Sequence, residues 1–415
     1  MSRPFKIVFI CILLVGTAAA QNKESWNWDV ETIAPEGKFT SVTTDSDRNI
    51  YVSFTAPDGI KFAYRPAGVH QKWFVMYVGN DVGFTSITLD QNSKPYICFN
   101  GHGSLFVAHL MKNDFVVQPI APQTGTLSYS CSIVVARDGS PAVTWYHEKT
   151  PDGLNYVHFK YAELRDGAWR ARTPDFDMQA GKWHSMKIDP AGHVLVAYDS
   201  FIAGQMKLAT YDGSKWDMQI VDKRTGGARS DYSIGGMGNS FALDAKGKPH
   251  ISYYTNSELR YAEQNEVGRW KVEKVDDVSP SGAWLGYRSS TVIDSKGNPH
   301  VFYQDMGALK HAYREDGTWR FQLMVGAGEG DPYQYQSATV DAAGRIILVF
   351  RDTSGGALKA AIGTLGLEGG GTHPQALPTS KAGNDSGSST PTAKQTKGSA
   401  SVKEDAAKNP GPEKN

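Results

Sequence analysis

The chain has 415 residues, with 43 basic and 43 acidic side chains, so no net field draws it to nucleic acid or to an anionic membrane. Neither is an expected partner. Beyond residue 20 it keeps only Cys98 and Cys131. That is too few for a disulfide scaffold, and both pairing and two buried thiols stay open, with no dependence of folding on a bond expected.

Taken in chain order, the first 20 residues read MSRPFKIVFICILLVGTAAA. Arg3 and Lys6 precede an apolar run from Ile7 to Val15, and Ala18 to Ala20 form a small-residue cleavage site. This is the pattern of a secretory signal, too short to span a bilayer, so an extracellular or periplasmic location is expected. Residues 24–366 are expected to fold as one monomeric domain. Residues 367–415 are rich in Gly, Ser, Thr, Pro and Lys, and are expected to stay disordered because they have little to bury.

The central region repeats. A serine opens an apolar stretch at Ser41, Ser86, Ser132, Ser185, Ser240, Ser290 and Ser337. An aromatic residue follows 13 positions later each time, at Phe54, Phe99, Trp145, Tyr198, Tyr253, Tyr303 and Phe350. Glycine turns such as DAKGKP and DSKGNP lie between them, and a further segment opens at Trp73, Phe115, Trp169, Trp216, Trp270 or Trp319. Four short β segments per unit predict an all-β, seven-bladed propeller of four-stranded blades. The seventh unit lacks its last segment, whereas WDVETI from Trp28 matches WKVEKV from Trp270. The N-terminus is therefore expected to supply the outer strand of the last blade and close the ring.

Turns such as YREDGTWRF and ELRDGAWRA resemble degenerate Asp-box turns of the sialidase-like propeller superfamily. The chain lacks the three arginines and six blades of the sialidases themselves. In architecture, and in the polar residues at one face, it also resembles the seven-bladed polysaccharide lyases that act on ulvan and related uronate polymers. That resemblance implies a polysaccharide or oligosaccharide ligand and elimination at a uronic acid.

The segment from each aromatic to the next serine varies from 32 to 42 residues and holds the connections of one face. Long connections carry function more often than tight turns, and the longest fall in blades three to six. Two rings of residues are expected at that mouth, one just before each serine and one just after each aromatic. Their distinctive members are His184, Tyr146, Tyr254 and Arg288 as candidate catalytic groups. His147, Asp199, Tyr287, Tyr335 and Arg351 are candidate substrate-binding groups. Histidine exchanges protons near neutral pH, arginine pairs with carboxylates, and tyrosine offers both a hydroxyl and a stacking face. Elimination would use an arginine (Arg288 or Arg351) against the carboxylate, a histidine (His184 or His147) as base and a tyrosine (Tyr146 or Tyr254) as acid. Hydrolysis by paired carboxylates, such as Asp199 with Asp305 or Asp352, is less favoured. The alternative is a lectin-like module that binds carbohydrate or protein without turnover. His147, His184 and Asp199 could together hold a metal, but nothing in their spacing requires one, and no cofactor is expected.

Overall fold

The computed structural model describes residues 24–68, 71–101, 103–121, 130–147, 158–177, 180–200, 203–223, 237–255, 258–278, 289–326 and 335–367. The signal-sequence expectation lies outside these residues, as does the tail but for residue 367. The described chain forms seven four-stranded antiparallel sheets, the blades of a propeller. Six blades use four consecutive strands, running inner, second, third and outer. The seventh takes its inner strand from Ser337–Val340, its second from Ile346–Arg351 and its third from Leu358–Leu367. Its outer strand is the N-terminal segment Glu24–Ala34, as expected. Among the described residues no helix is long and apolar enough to cross a membrane.

The fixed serine-to-aromatic spacing is a fixed register. In all seven blades the serine of the inner strand pairs with the residue before the aromatic of the second, as in Ser41↔Ser53, Ser132↔Thr144 and Ser337↔Val349. Aspartates at the end of the inner strand hold the turn between the two strands. Asp244 Oδ1 accepts the N–H groups of Lys246 and Lys248 at 2.8 Å, and Gly247 takes the left-handed φ of 79° that the tight turn requires.

The serine has its own task. Each inner strand presents a free edge to the propeller axis, and its N–H groups need acceptors. Ser41 Oγ accepts Ile87 N–H at 3.2 Å, and Ser132 accepts Met186 N–H at 3.1 Å. Ser240 and Ser290 do the same for Thr291 and Ala338, both at 2.8 Å, and Ser337 for Val42 at 3.2 Å. Each bond links one blade to the next. A short hydroxyl-bearing side chain suits a place where the sheets converge.

Farther from the axis the blades join through buried apolar clusters and a polar clasp. Glu273 of the fifth outer strand (Trp270–Asp277) accepts from Arg314 Nη1 at 3.0 Å and Trp319 Nε1 at 3.1 Å in blade six. Glu31 of the N-terminal strand accepts from Arg65 at 2.8 and 2.9 Å and from Trp73 Nε1 at 3.0 Å in blade one. The WDVETI segment therefore repeats both the pairing and the inter-blade contacts of WKVEKV. On its other face Trp26 and Trp28 are buried against blade six. Their rings meet the His300 and His311 rings edge-on at 4.8 and 5.5 Å. His300 and His311 are themselves buried and bonded at 2.9 Å.

Cys98 and Cys131 form a disulfide between the second strand of blade two (Pro95–Gly101) and the inner strand of blade three (Cys131–Val135). It closes a sequence separation of 33 residues between two blades, which sets a physical argument against the expectation that folding does not depend on it. Loop-closure entropy for such a span is about 3–4 kcal/mol. Reduction is expected to lower the unfolding midpoint of the intact chain correspondingly; an unchanged midpoint under reductant would show that the bond carries no stability.

Removal of residues 21–34 would strip blade seven of its outer strand and expose its third strand as an apolar edge. Loss of soluble folded protein is the expected result, whereas Trp28→Ala alone should cost about 3 kcal/mol in denaturant unfolding, as for other buried aromatics. An N-terminal truncation that melts like the intact chain would overturn the closure.

Candidate functional site

The antiparallel order puts the second-to-third and fourth-to-first connections at one end of every blade. The expanded ones lie largely outside the described residues, and Tyr287 and Arg288 lie there with them. The floor beneath is well defined. In blades four, five and six the repeated aromatic is a buried tyrosine whose hydroxyl meets an aspartate contributed by the preceding blade. Tyr198 donates to Asp175 at 2.6 Å, Tyr253 to Asp222 at 2.6 Å and Tyr303 to Asp276 at 2.5 Å. The facing third-strand residue adds a cation each time: Lys207 to Asp175 at 3.0 Å, Arg260 to Asp222 at 3.0 Å and Lys310 to Asp276 at 3.4 Å. These three junctions stiffen the propeller under its longest connections. The sequence signal was present in the change from Phe or Trp to Tyr, with a basic residue on the next strand.

Residues just before the repeat serines line the channel, and several also bond to the preceding blade. Thr40 Oγ1 donates to Tyr335 O at 2.6 Å and Thr85 Oγ1 to Phe39 O at 2.8 Å. Asn239 Nδ2 donates to Trp183 O at 2.9 Å, and Ser289 Oγ to Gly238 O at 3.0 Å. Strand alternation requires this, because the serine itself points the other way.

His184 occupies the same position in the inner strand of blade four (Ala180–Ile188) and is only 7 % exposed. A bulge between Ala180 and His184 shapes this end of the strand, and Gly181 takes a φ of 83° within it. A Cβ at Gly181 would lie 2.3 Å from Phe159 Cβ, so the bulge needs glycine on two counts. His184 Nδ1 lies 3.0 Å from Gly181 O and 3.2 Å from Ser130 Oγ, and Ser130 donates its own proton to Lys182 O at 3.0 Å. A carbonyl only accepts, so Nδ1 carries the hydrogen and Nε2 of the neutral ring carries the lone pair. Ser130 and Gly181 were missed as candidates. The Gly-Lys-Trp-His run was their only trace.

Asp199, in the neighbouring second strand (Val194–Ser200), is fully buried. Its Oδ1 accepts Trp183 N–H at 2.8 Å, while Oδ2 has no hydrogen-bond partner. Burial pushes this carboxyl up to about 7, against the smaller opposing effect of its backbone hydrogen bonds. Tyr254 is also buried, and its hydroxyl accepts Gln304 N–H at 2.9 Å and lies 3.3 Å from Gln304 O. Tyr146 is 3 % exposed and pairs in register with Phe159; His147 ends the same strand. The structure thus brings His184, Asp199 and Tyr254 to adjacent blades four and five, beside Tyr146 in blade three.

Arg351 and Tyr335 belong to the opposite side, in blade seven. Arg351 is half-buried at the end of its strand. Tyr335, with φ 48°, stacks edge-on to Phe39 at 4.6 Å, and Phe39 meets Phe84 at 4.3 Å. All three rings are half-buried, forming an aromatic row at one mouth of the channel across blades seven, one and two. Phe39 and Phe84 precede the repeat serine by two positions, as Tyr335 does, and that position was not singled out. Among the described residues no group of three His, Cys, Asp or Glu side chains could hold a metal.

No family model matches the chain, and no curated protein matches it. Solved structures do. A polysaccharide lyase of family PL25, an ulvan lyase bound to -[GlcA(1-4)Rha3S]-, superposes with a TM-score of 0.56 at 13 % identity, over 79 % of this chain and 94 % of its own. A second structure of a PL25 ulvan lyase gives a TM-score of 0.55 at 12 % identity over the same shares. The polysaccharide lyase Uly1 gives 0.49 at 10 % identity, over 80 % of this chain and 90 % of its own. At these identities the likeness is one of fold: this is a seven-bladed β-propeller with polysaccharide lyases among its structural neighbours.

The raised Asp199 carboxyl makes a signed prediction. Its proton is held more tightly in the folded than in the unfolded chain, so folding gains nothing below about pH 4 and loses stability as the pH climbs from there through about 7. Asp199→Asn keeps an acceptor for Trp183 and removes the charge. It is expected to stabilise the protein at about pH 8, by up to about 4 kcal/mol, and to be close to neutral at about pH 4. Equal destabilisation at both values in denaturant unfolding would contradict the buried charge.

Proposed function

We propose that the protein is an exported, monomeric, glycan-active propeller: a polysaccharide lyase cleaving beside uronic acids, with its site on the long-connection face over blades three to six. The observation that carries this reading is the His184 ring, whose Nδ1–H is directed at the Gly181 carbonyl so that Nε2 is left as a base. The fold shared with an ulvan lyase that was bound to a glucuronate-containing sugar supports it.

Elimination at a uronate needs three groups. A base removes the proton α to the carboxylate. The electron pair left behind forms a carbon–carbon double bond as the bond to the β-oxygen breaks, and an acid protonates that oxygen. His184 is assigned as the base, with His147 as the alternative. Arg288, which directly precedes Ser289, or Arg351 neutralises the substrate carboxylate. Tyr146 or Tyr254 is assigned as the acid. Asp199 lies behind His184 and Trp183, while Tyr287 and Tyr335 are assigned to sugar contacts.

The second reading is a non-catalytic carbohydrate- or protein-binding propeller. The row of Phe39, Phe84 and Tyr335 favours it, because half-exposed rings stack on sugar faces without chemistry. A panel of uronate polysaccharides, with unsaturated product followed by ultraviolet absorbance, separates the two. The lyase reading expects product from at least one polymer and a loss of about 100-fold or more in His184→Gln, with little change in melting temperature. Binding without product, weakened by Tyr335→Ala and indifferent to His184→Gln, would replace it with the second reading.

A further inference from the structure

The propeller axis holds a second feature, a channel that His184 also lines but whose reading does not rest on the proposed lyase chemistry. The inner strands enclose a channel of about 310 Å³, far more than one water needs. Its wall is mostly serine, threonine and apolar residues, joined by His184, Asn239 and Gln336, with Lys187 as the only Lys, Arg, Asp or Glu among its lining residues. Lys187 lies three residues beyond His184 on the same strand, about 10 Å along the wall. Alternation puts it on the face of Ser185. Its side chain is exposed, and as a lining residue it meets the solvent of the channel.

No carboxylate answers this ammonium. Among the described residues Lys187 makes no ion pair, and burial by the surrounding strands holds its pKa below the usual lysine value. The hydroxyls around it are of one kind. Five repeat serines accept an N–H from the next blade, and among the described residues none of the five donates its own proton to protein. A hydroxyl that accepts still has a hydrogen to give. The channel therefore combines one uncompensated cation with a ring of unspent donors and no carboxylate side chain, the complement of an anion.

We propose that the central channel is a binding site for a single oxyanion (carboxylate, sulfate or phosphate) held by Lys187 and the repeat serines. The occupant comes either from solution as a free inorganic anion or from the acidic end of a sugar. Both bring the same negatively charged oxygens.

Thermal unfolding of the intact chain in sodium sulfate, sodium phosphate and sodium glucuronate, against sodium chloride at matched ionic strength, tests this. A saturable rise in midpoint of about 3 °C or more is expected with at least one oxyanion when it is far above its dissociation constant. Lys187→Gln should abolish the rise and Lys187→Arg should retain it. In chloride, Lys187→Gln should melt no lower than the wild type, because it removes an unpaired charge. Response to inorganic anions assigns the free source, and response to glucuronate alone assigns the sugar. The proposal is overturned if no oxyanion shifts the wild type, or if Lys187→Gln responds as the wild type does, since that would be a general salt effect. Should Lys187→Gln fail to fold, calorimetric titration of the wild type with the same salts decides the question: saturable heat supports the site, and its absence overturns it. None of these outcomes depends on lyase activity.

Discussion

Seven sheets converge on one axis, and each brings the free edge of its innermost strand there. Backbone N–H groups on that edge have no strand to pair with, and the space is too tight for large side chains. The repeat serine meets both conditions: it is small, and its oxygen accepts the neighbour's N–H. The even spacing to the aromatic follows, since the serine must sit at one height on the inner strand while the aromatic fills the inter-blade core one register step away. The same constraint leaves five of the repeat serines with a hydroxyl proton that has no protein acceptor among the described residues.

Closure is the second condition on such a ring. Seven blades built only from consecutive strands would leave one outer and one inner edge as chain ends. Placing the N-terminal segment outside blade seven joins those ends through backbone pairing from Glu24↔Leu367 to Ala34↔Leu358. The Glu31 clasp shows that the segment occupies a repeat position fully, down to the tryptophan and arginine it receives from blade one. A closed ring then holds neighbouring blades at fixed separations, as the proposed site across several of them requires.

The fold was legible because its determinants are local and recur: a serine, an aspartate turn, an aromatic, a tryptophan. WDVETI was readable for the same reason. The site was less so. Thr40, Thr85, Asn239 and Ser289 line the channel as their position implied, and their bonds to carbonyls of the preceding blade, which depend on assembly, were not legible residue by residue. His184 was singled out by type, but what orients it is a bulge at Gly181, of a kind that blades one and five also carry, and a serine from another blade. Asp199 read as a sugar contact, and its full burial was not legible, because packing between strands sets it rather than its neighbours in sequence. The disulfide was left open for a similar reason: two cysteines 33 positions apart meet only once the blades are assembled.

The proposed chemistry stands on one atom, the Nε2 nitrogen of His184, carrying a lone pair because Nδ1–H is directed at Gly181. Nitrogen-15 chemical shifts of the histidine rings in uniformly labelled protein near neutral pH, with His184 assigned through His184→Gln, report the tautomer directly. A protonated Nδ1 and an unprotonated Nε2 are the expected result. A His184 ring found as the Nε2–H tautomer, or doubly protonated at neutral pH, would contradict it.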